Sequence, residues 1–214
     1  MSALRGSVFR IVPISTALLI LVIVAATIVG RIGVSEFKLP LLTGVTVTLL
    51  IFCLLAQLNR PDLLSLMERS RTAVQAGQAY RLFTALWFQD GGAVGATFNI
   101  AMLTVLGTLA EQILSRIAWL GVYLIGGLMS EVIALAWQPM GAGNSVGYMS
   151  LAGALLGISI VRQTSPASRI AGLGLGAAVL LCLRKDIHGA AAMIGFALLL
   201  LVRIGSASGR ECES

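Results

Sequence analysis

Two side chains in this sequence have the types and the setting for acyl transfer. Ser145 stands in GAGNSVGYMSLAGALLG, where a glycine-rich turn opens into a helix of small residues. His188, the single histidine of the chain, opens its last apolar stretch. A serine hydroxyl is a weak nucleophile until a base takes its proton, and a Ser-His pair is the smallest unit that does this. Gly141, Gly143 and Gly147 leave backbone N–H groups uncovered near a helix start, where they can hold a developing oxyanion. Asn99 is a further amide donor within an apolar stretch. Polar groups inside such stretches are costly, so Asn99, Glu111, Glu131, Ser145 and His188 are the positions to explain.

The elements that must position them are membrane helices. The chain is 57% hydrophobic and 11% charged, against about 25% charged residues in soluble domains. Its charge of +6 would suggest nucleic acid in a soluble protein, but the basic residues stand singly at the ends of apolar runs, as membrane flanks do. Nucleic acid is therefore excluded as a partner and the lipid bilayer is expected. Cys53, Cys182 and Cys212 have no metal-ligand spacing, so neither a zinc site nor a disulfide framework is read.

Seven apolar segments are of roughly membrane length, about 20 residues at 1.5 Å each. They run from Val12 to Val29, Leu41 to Leu58, Ala93 to Leu114, Ala118 to Trp137, Ser145 to Val161, Ile170 to Leu183 and His188 to Val202. The first, preceded by Arg5 and Arg10, reads as a retained helix because it is too long for an ordinary signal h-region and has no clear cleavage site. The loop from Asn59 to Asp90 carries DLLSLMERSRTAVQ, whose apolar positions suit a short helix lying in the interface. Lys and Arg divide eight to seven between the two sides, so charge placement leaves orientation open. No internal repeat of the carrier type is found.

Seven alternating crossings place Asn99, Glu131, Ser145 and His188 in the same half of the membrane, within roughly 10 Å of one surface. Glu111 lies toward the other. Residue types alone leave alternatives open: serine and glycine also serve close helix packing, and a histidine beside a loop is often only interfacial. Asn99 suits an interhelical hydrogen bond, and Glu131 suits a neutral, bonded carboxyl.

The ordered set of motifs resembles the rhomboid family of intramembrane serine proteases. GNSVGYMSLAG is similar to the family's G-x-S-G and small-residue helix, with Gly143, Ser145 and the packing glycine Gly153 in place. HGAAAMIG is similar to its last-helix histidine and G-x-x-x-G, with His188 and Gly195 matching and Ala191 at the first glycine. QAYRLFTALWF puts Tyr80 and Arg81 at the family's W-R, GATFN keeps Asn99, and LGTLAEQ puts Glu111 where the family often has a glutamate. The resemblance spans Leu41 to Val202.

It implies an all-α, polytopic membrane bundle: an N-terminal segment, 1–40, with an extra transmembrane helix, a six-helix domain, 41–204, and a short polar tail, 205–214. It further implies a serine endopeptidase that cleaves transmembrane segments of membrane proteins, with Ser145 as nucleophile and His188 as base. Gly143, Asn144 and Asn99 would serve the oxyanion, while Tyr80, Arg81, Glu111, Ala191 and Gly195 would be structural. No metal or organic cofactor is implied, and the site would open on the non-cytoplasmic side of the cell membrane.

Three positions depart from the family pattern. Gly95 stands where the family has an oxyanion-binding histidine, Val146 replaces the glycine after the nucleophile, and Met149 occupies a place often held by an aromatic residue. These departures keep a catalytically silent binder of transmembrane segments as an alternative. A small transporter or channel subunit, with Glu131, Asn99 and His188 along a polar path, is the other.

Overall fold

The computed structural model describes residues 13–34, 38–163 and 166–211. Arg5, Arg10 and Cys212 lie outside the described residues, as do the ends of the expected N-terminal segment and C-terminal tail. All seven apolar segments are helices, with the long loop between the second and third. The chain runs α1 (Ile14–Gly33), α2 (Leu41–Asn59), α3 (Asp62–Met67), β1 (Arg69–Ser70), α4 (Arg71–Gln75) and α5 (Arg81–Thr84). It continues through α6 (Gly92–Ile113), α7 (Arg116–Trp137), β2 (Met140–Gly141), α8 (Ser145–Arg162), α9 (Ala167–Leu183) and α10 (Ile187–Glu211).

Among the described residues, five helices are long and apolar enough to cross a membrane, and α9 and the Ile187–Val202 part of α10 are shorter apolar helices. The molecule is a polytopic helical membrane bundle. Four of the five prolines, Pro13, Pro40, Pro61 and Pro166, stand immediately before a helix. Proline suits that place because its fixed φ is helical and its missing N–H has no partner to lose there. The first N–H groups of α2 need acceptors, and Glu111 supplies them from the far end of α6. Its carboxylate takes the Leu42 and Thr43 N–H groups at 2.8 and 2.9 Å and the Thr43 hydroxyl at 2.9 Å.

Helix α8 is the centre. Every residue from Val146 to Ser159 is buried, the pattern of a helix covered on all sides. Its neighbours form a ring, α6, α1, α9, α10 and α7, each packed on the next, while α2 lies outside against α6. Small residues let the backbones approach: Gly153 of α8 faces the Ala192 backbone of α10, and Gly195 of α10 faces the Ser150 backbone of α8. A methyl group at either would collide with main chain. Ala191 is fully buried in the same contact.

The expected single interface helix in the long loop is corrected by the structure to three short helices interrupted by β1. The reason is Arg69. Its buried guanidinium pairs with Glu131 in α7 and donates to the Gln138 and Met140 carbonyls at 3.0 and 3.2 Å. A helix through Arg69 would turn it away, so the chain straightens and pairs antiparallel with β2, Arg69 opposite Gly141. Gly141 has φ +149°, and a Cβ there would lie 2.9 Å from the Arg69 guanidinium, so both conformation and space require glycine. Arg81 secures the loop, donating to the Ser65 and Glu68 carbonyls at 2.7 and 3.2 Å. Tyr80 is half exposed above it, its hydroxyl 3.5 Å from the Leu66 carbonyl.

Candidate active site

The close α8–α10 approach brings the first residue of one helix to the second residue of the other. Ser145 Oγ lies 3.0 Å from His188 Nε2. On the far side of the ring, His188 Nδ1 is 2.7 Å from Asp186 Oδ1. The same carboxylate oxygen accepts the His188 backbone N–H at 3.0 Å. Asp186 therefore both caps the start of α10 and faces the imidazole. The turn that sets it there ends α9 through the left-handed Lys185, φ 56°, with the Asp186 N–H on the Leu181 carbonyl at 3.0 Å.

Asp186 is the residue that sequence reasoning missed. The signal was present in KDIH, since aspartate before a helix is a favoured cap, but nothing in spacing alone says that a cap also reaches a side chain. Burial raises the Asp186 pKa, but hydrogen bonds and charge from His188, with a smaller contribution from Arg184, outweigh it and hold the carboxyl below its ordinary value. A carboxylate facing Nδ1 favours the tautomer with the proton on that nitrogen, and in that tautomer Nε2 accepts from Ser145, the arrangement general-base activation requires.

Beside Ser145 is a network of amides. Asn99 donates to Gln89 Oε1 at 2.9 Å and accepts the Tyr148 hydroxyl at 3.2 Å. Gln89 donates to Asn144 Oδ1 at 3.0 Å, and Asn144 donates to the Asn99 carbonyl at 3.4 Å. Gln57 holds the Gln89 backbone at both ends, at 2.7 and 3.0 Å. Gln57, Gln89 and Tyr148 are further residues that the sequence reading did not single out. They come from three separate elements, so no motif joins them.

The space at Gly143 is bounded by the two groups of interest. A Cβ there would lie 3.4 Å from Asn99 Nδ2 and 3.6 Å from Ser145 Oγ. Gly143 itself offers no free donor, because its N–H goes to the Ala85 carbonyl at 2.8 Å. Its expected part in oxyanion binding is corrected accordingly: it leaves room. The N–H groups of Ser145 and Val146 open α8 ahead of the turn bond from the Gly147 N–H to the Asn144 carbonyl at 3.1 Å, where helix donors lack intrahelical partners. Gly147 lets this turn lie on the Tyr123 ring.

A cavity of about 320 Å³ holds Ser145, His188 and Asn99, with Leu19 of α1 and Phe98 of α6 on its wall. Arg69, Asp90 and Glu131 line another side. Glu131 is engaged by Arg69, and Asp90 accepts the Ala142 N–H at 2.9 Å while donating its own N–H back at 3.2 Å. The charged side thus anchors the strand that leads into Ser145.

The other singled-out residues are not at the cavity. Glu111, Tyr80, Arg81, Ala191 and Gly195 hold helices and loop, as described above. Val146 and Met149 are buried in the core, whereas a Cβ added at Gly95 meets nothing within 4 Å. Cys53 and Cys182 are free thiols, and among the described residues no group of three His, Cys, Asp or Glu side chains is placed to hold a metal ion. The family model for the Rhomboid domain matches residues 76–204, more than half of the chain. No curated protein and no solved structure matches it.

Proposed function

The chain belongs to the rhomboid family, and we propose that it is an intramembrane serine endopeptidase that cleaves transmembrane segments of membrane proteins. The observation that carries this reading is the 3.0 Å approach of His188 Nε2 to Ser145 Oγ with Asp186 behind the ring. His188 takes the hydroxyl proton as Oγ attacks the scissile carbonyl, and Asp186 supports the imidazolium that forms. The oxyanion is received by N–H groups at the α8 start and by the Asn99 amide, which turns from Gln89 to do so. His188 then delivers its proton to the leaving amine. Water entering the polar cavity, activated by the same imidazole, releases the acyl-enzyme.

The substrate is a transmembrane segment of weak helicity near one end, because attack requires an extended backbone at the scissile bond. Placing the protein in the cell membrane with the cavity facing away from the cytoplasm is part of the same proposal. A thiol-labelling survey of single cysteines at the α9–α10 turn and at Arg116, in intact cells, checks it. Labelling of Arg116→Cys from outside would reverse the orientation.

A fluorophosphonate probe tests the chemistry. Purified protein in liposomes is expected to label covalently, and Ser145→Ala and His188→Ala to abolish labelling. Labelling that persists in Ser145→Ala removes the proposal. A second reading, a silent binder of transmembrane segments, is favoured by Gly95, which leaves the family's additional oxyanion donor absent. It predicts no labelling of a folded protein that still captures transmembrane peptides.

A further inference from the structure

The ring around α8 contains one member from outside the matched family domain. Helices α6 to α9 and most of α10 fall within residues 76–204, while α1, which lies wholly before them, is inserted between α6 and α9. It is fitted closely on both sides. Gly30 and Gly33 of α1 meet Leu109 and Ile113 of α6, and Gly174 of α9 meets Ala25 of α1. Its buried face, Val22, Ile23, Ala25, Ala26, Val29 and Gly30, is shared among α8, α9 and α6. Near its outer end, Ser15 Oγ accepts from Arg184 Nε at 3.1 Å, two residues from Asp186. One turn inward, Leu19 forms part of the wall of the Ser145 cavity.

A ring lacking α1 has an opening one helix wide between α6 and α9, beside Ser145. A transmembrane segment arriving through the bilayer has that width. On the other sides α7 packs on α10 and α10 on α9, and the long loop is bonded to the strand before Ser145. The native occupant of the opening is α1.

We propose that α1 is an intramolecular competitor for the slot between α6 and α9, so that a transmembrane segment reaches Ser145 only after α1 moves aside. The proposal rests on the reading that the site receives transmembrane segments. Occupancy by α1 sets the threshold for entry: weakly packed segments are excluded, and segments that replace its contacts with α8 are admitted. The polar clasp of Ser15 on Arg184 is the part of the contact that a competing apolar helix does not reproduce.

The experiment uses the full-length chain with Ser145→Ala, so that capture is read without catalysis. Cys53→Ser, Cys182→Ala and Cys212→Ser remove the native thiols, and Ala25→Cys with Gly174→Cys supplies a lock. A Cβ at Gly174 lies 2.9 Å from that of Ala25, so a disulfide forms once the helices ease apart by about 1 Å. The probe is a single-span peptide with an Ala/Gly-rich end carrying a benzophenone, in liposomes. Photo-capture is expected to fall about fivefold or more in the oxidised protein and to return on reduction. Equal capture in the two states overturns the proposal.

A second pair of variants covers a lock that fails to close. Leu19→Ala and Ser15→Ala are each expected to raise capture about threefold or more, and unchanged or lower capture by both overturns it equally. The protease reading is judged separately, by fluorophosphonate labelling of the same lock in a Ser145 background. That small probe enters from water, so it is expected to label locked and unlocked protein alike. Absent labelling in both sinks the protease reading and leaves the capture result standing.

Discussion

Asp186 and His188 are joined twice by one oxygen: Asp186 Oδ1 accepts the His188 backbone N–H at 3.0 Å and lies 2.7 Å from ring Nδ1. One contact is structural and the other bears on reactivity, and a single substitution separates them. Asparagine is about as good a helix cap as aspartate, but it removes the carboxylate from the imidazole. Asp186→Asn is expected to leave thermal stability in detergent nearly unchanged while lowering kcat by roughly 10-fold to 100-fold, with a smaller effect on KM. Equal activity of wild type and variant would assign Asp186 to capping alone.

The same contact makes stability depend on pH. The folded-state pKa of Asp186 is depressed, so its contribution is fully present above the ordinary carboxylate range and is lost as pH falls through the lowered folded value. Between neutral pH and about pH 3 the wild-type Tm is expected to drop further than that of Asp186→Asn. Parallel curves for the two proteins would contradict this.

Glu131 and Arg69 form a buried pair, with side chains 1% and 2% exposed. Removing one partner leaves the other charge buried, which typically costs about 3–5 kcal/mol. Glu131→Ala should therefore be severely destabilised and should lose Ser145 labelling, because Arg69 also anchors the strand leading into Gly141. The double variant Arg69→Met with Glu131→Met should recover much of the stability. A denaturation series on the three proteins measures this, and a fully stable single variant refutes it.

Gly95 lies one helical turn before Asn99, so a side chain there projects on the same face of α6, and a Cβ meets nothing within 4 Å. Gly95→His is accordingly expected to fold normally. If a missing oxyanion donor limits the rate, it raises kcat/KM for a transmembrane substrate by about tenfold or more. An unchanged rate shows that the donors at the α8 start and Asn99 already suffice.

Gly195 faces the Ser150 backbone across the α8–α10 contact. Gly195→Val drives the helices apart, and with them Ser145 and His188. Labelling should be lost together with about 2 kcal/mol or more of stability. Gly172 has nothing within 4 Å of an added Cβ, and Gly172→Val serves as the control that should change neither.

The class of the fold was legible from residue order, because an apolar run of this length satisfies its own backbone polar groups in a bilayer as a helix. So was the shared level of Ser145, Asn99 and His188, which line one cavity, since rise per residue converts position along a helix into height in the bundle. The ordered motifs around Ser145 and His188 were legible for the same reason: their spacing is set within single helices. Which groups touch was set by packing between elements. Asp186 behind the imidazole, Gln89 between Asn99 and Asn144, and Arg69 on Glu131 each join separate elements, and side-chain partners across a bundle depend on helix rotation. The loop likewise read as an amphipathic helix until the partner of Arg69 was known. The place of α1 between α6 and α9 was the least legible, because a hydrophobic helix carries no mark of which neighbours its small residues fit.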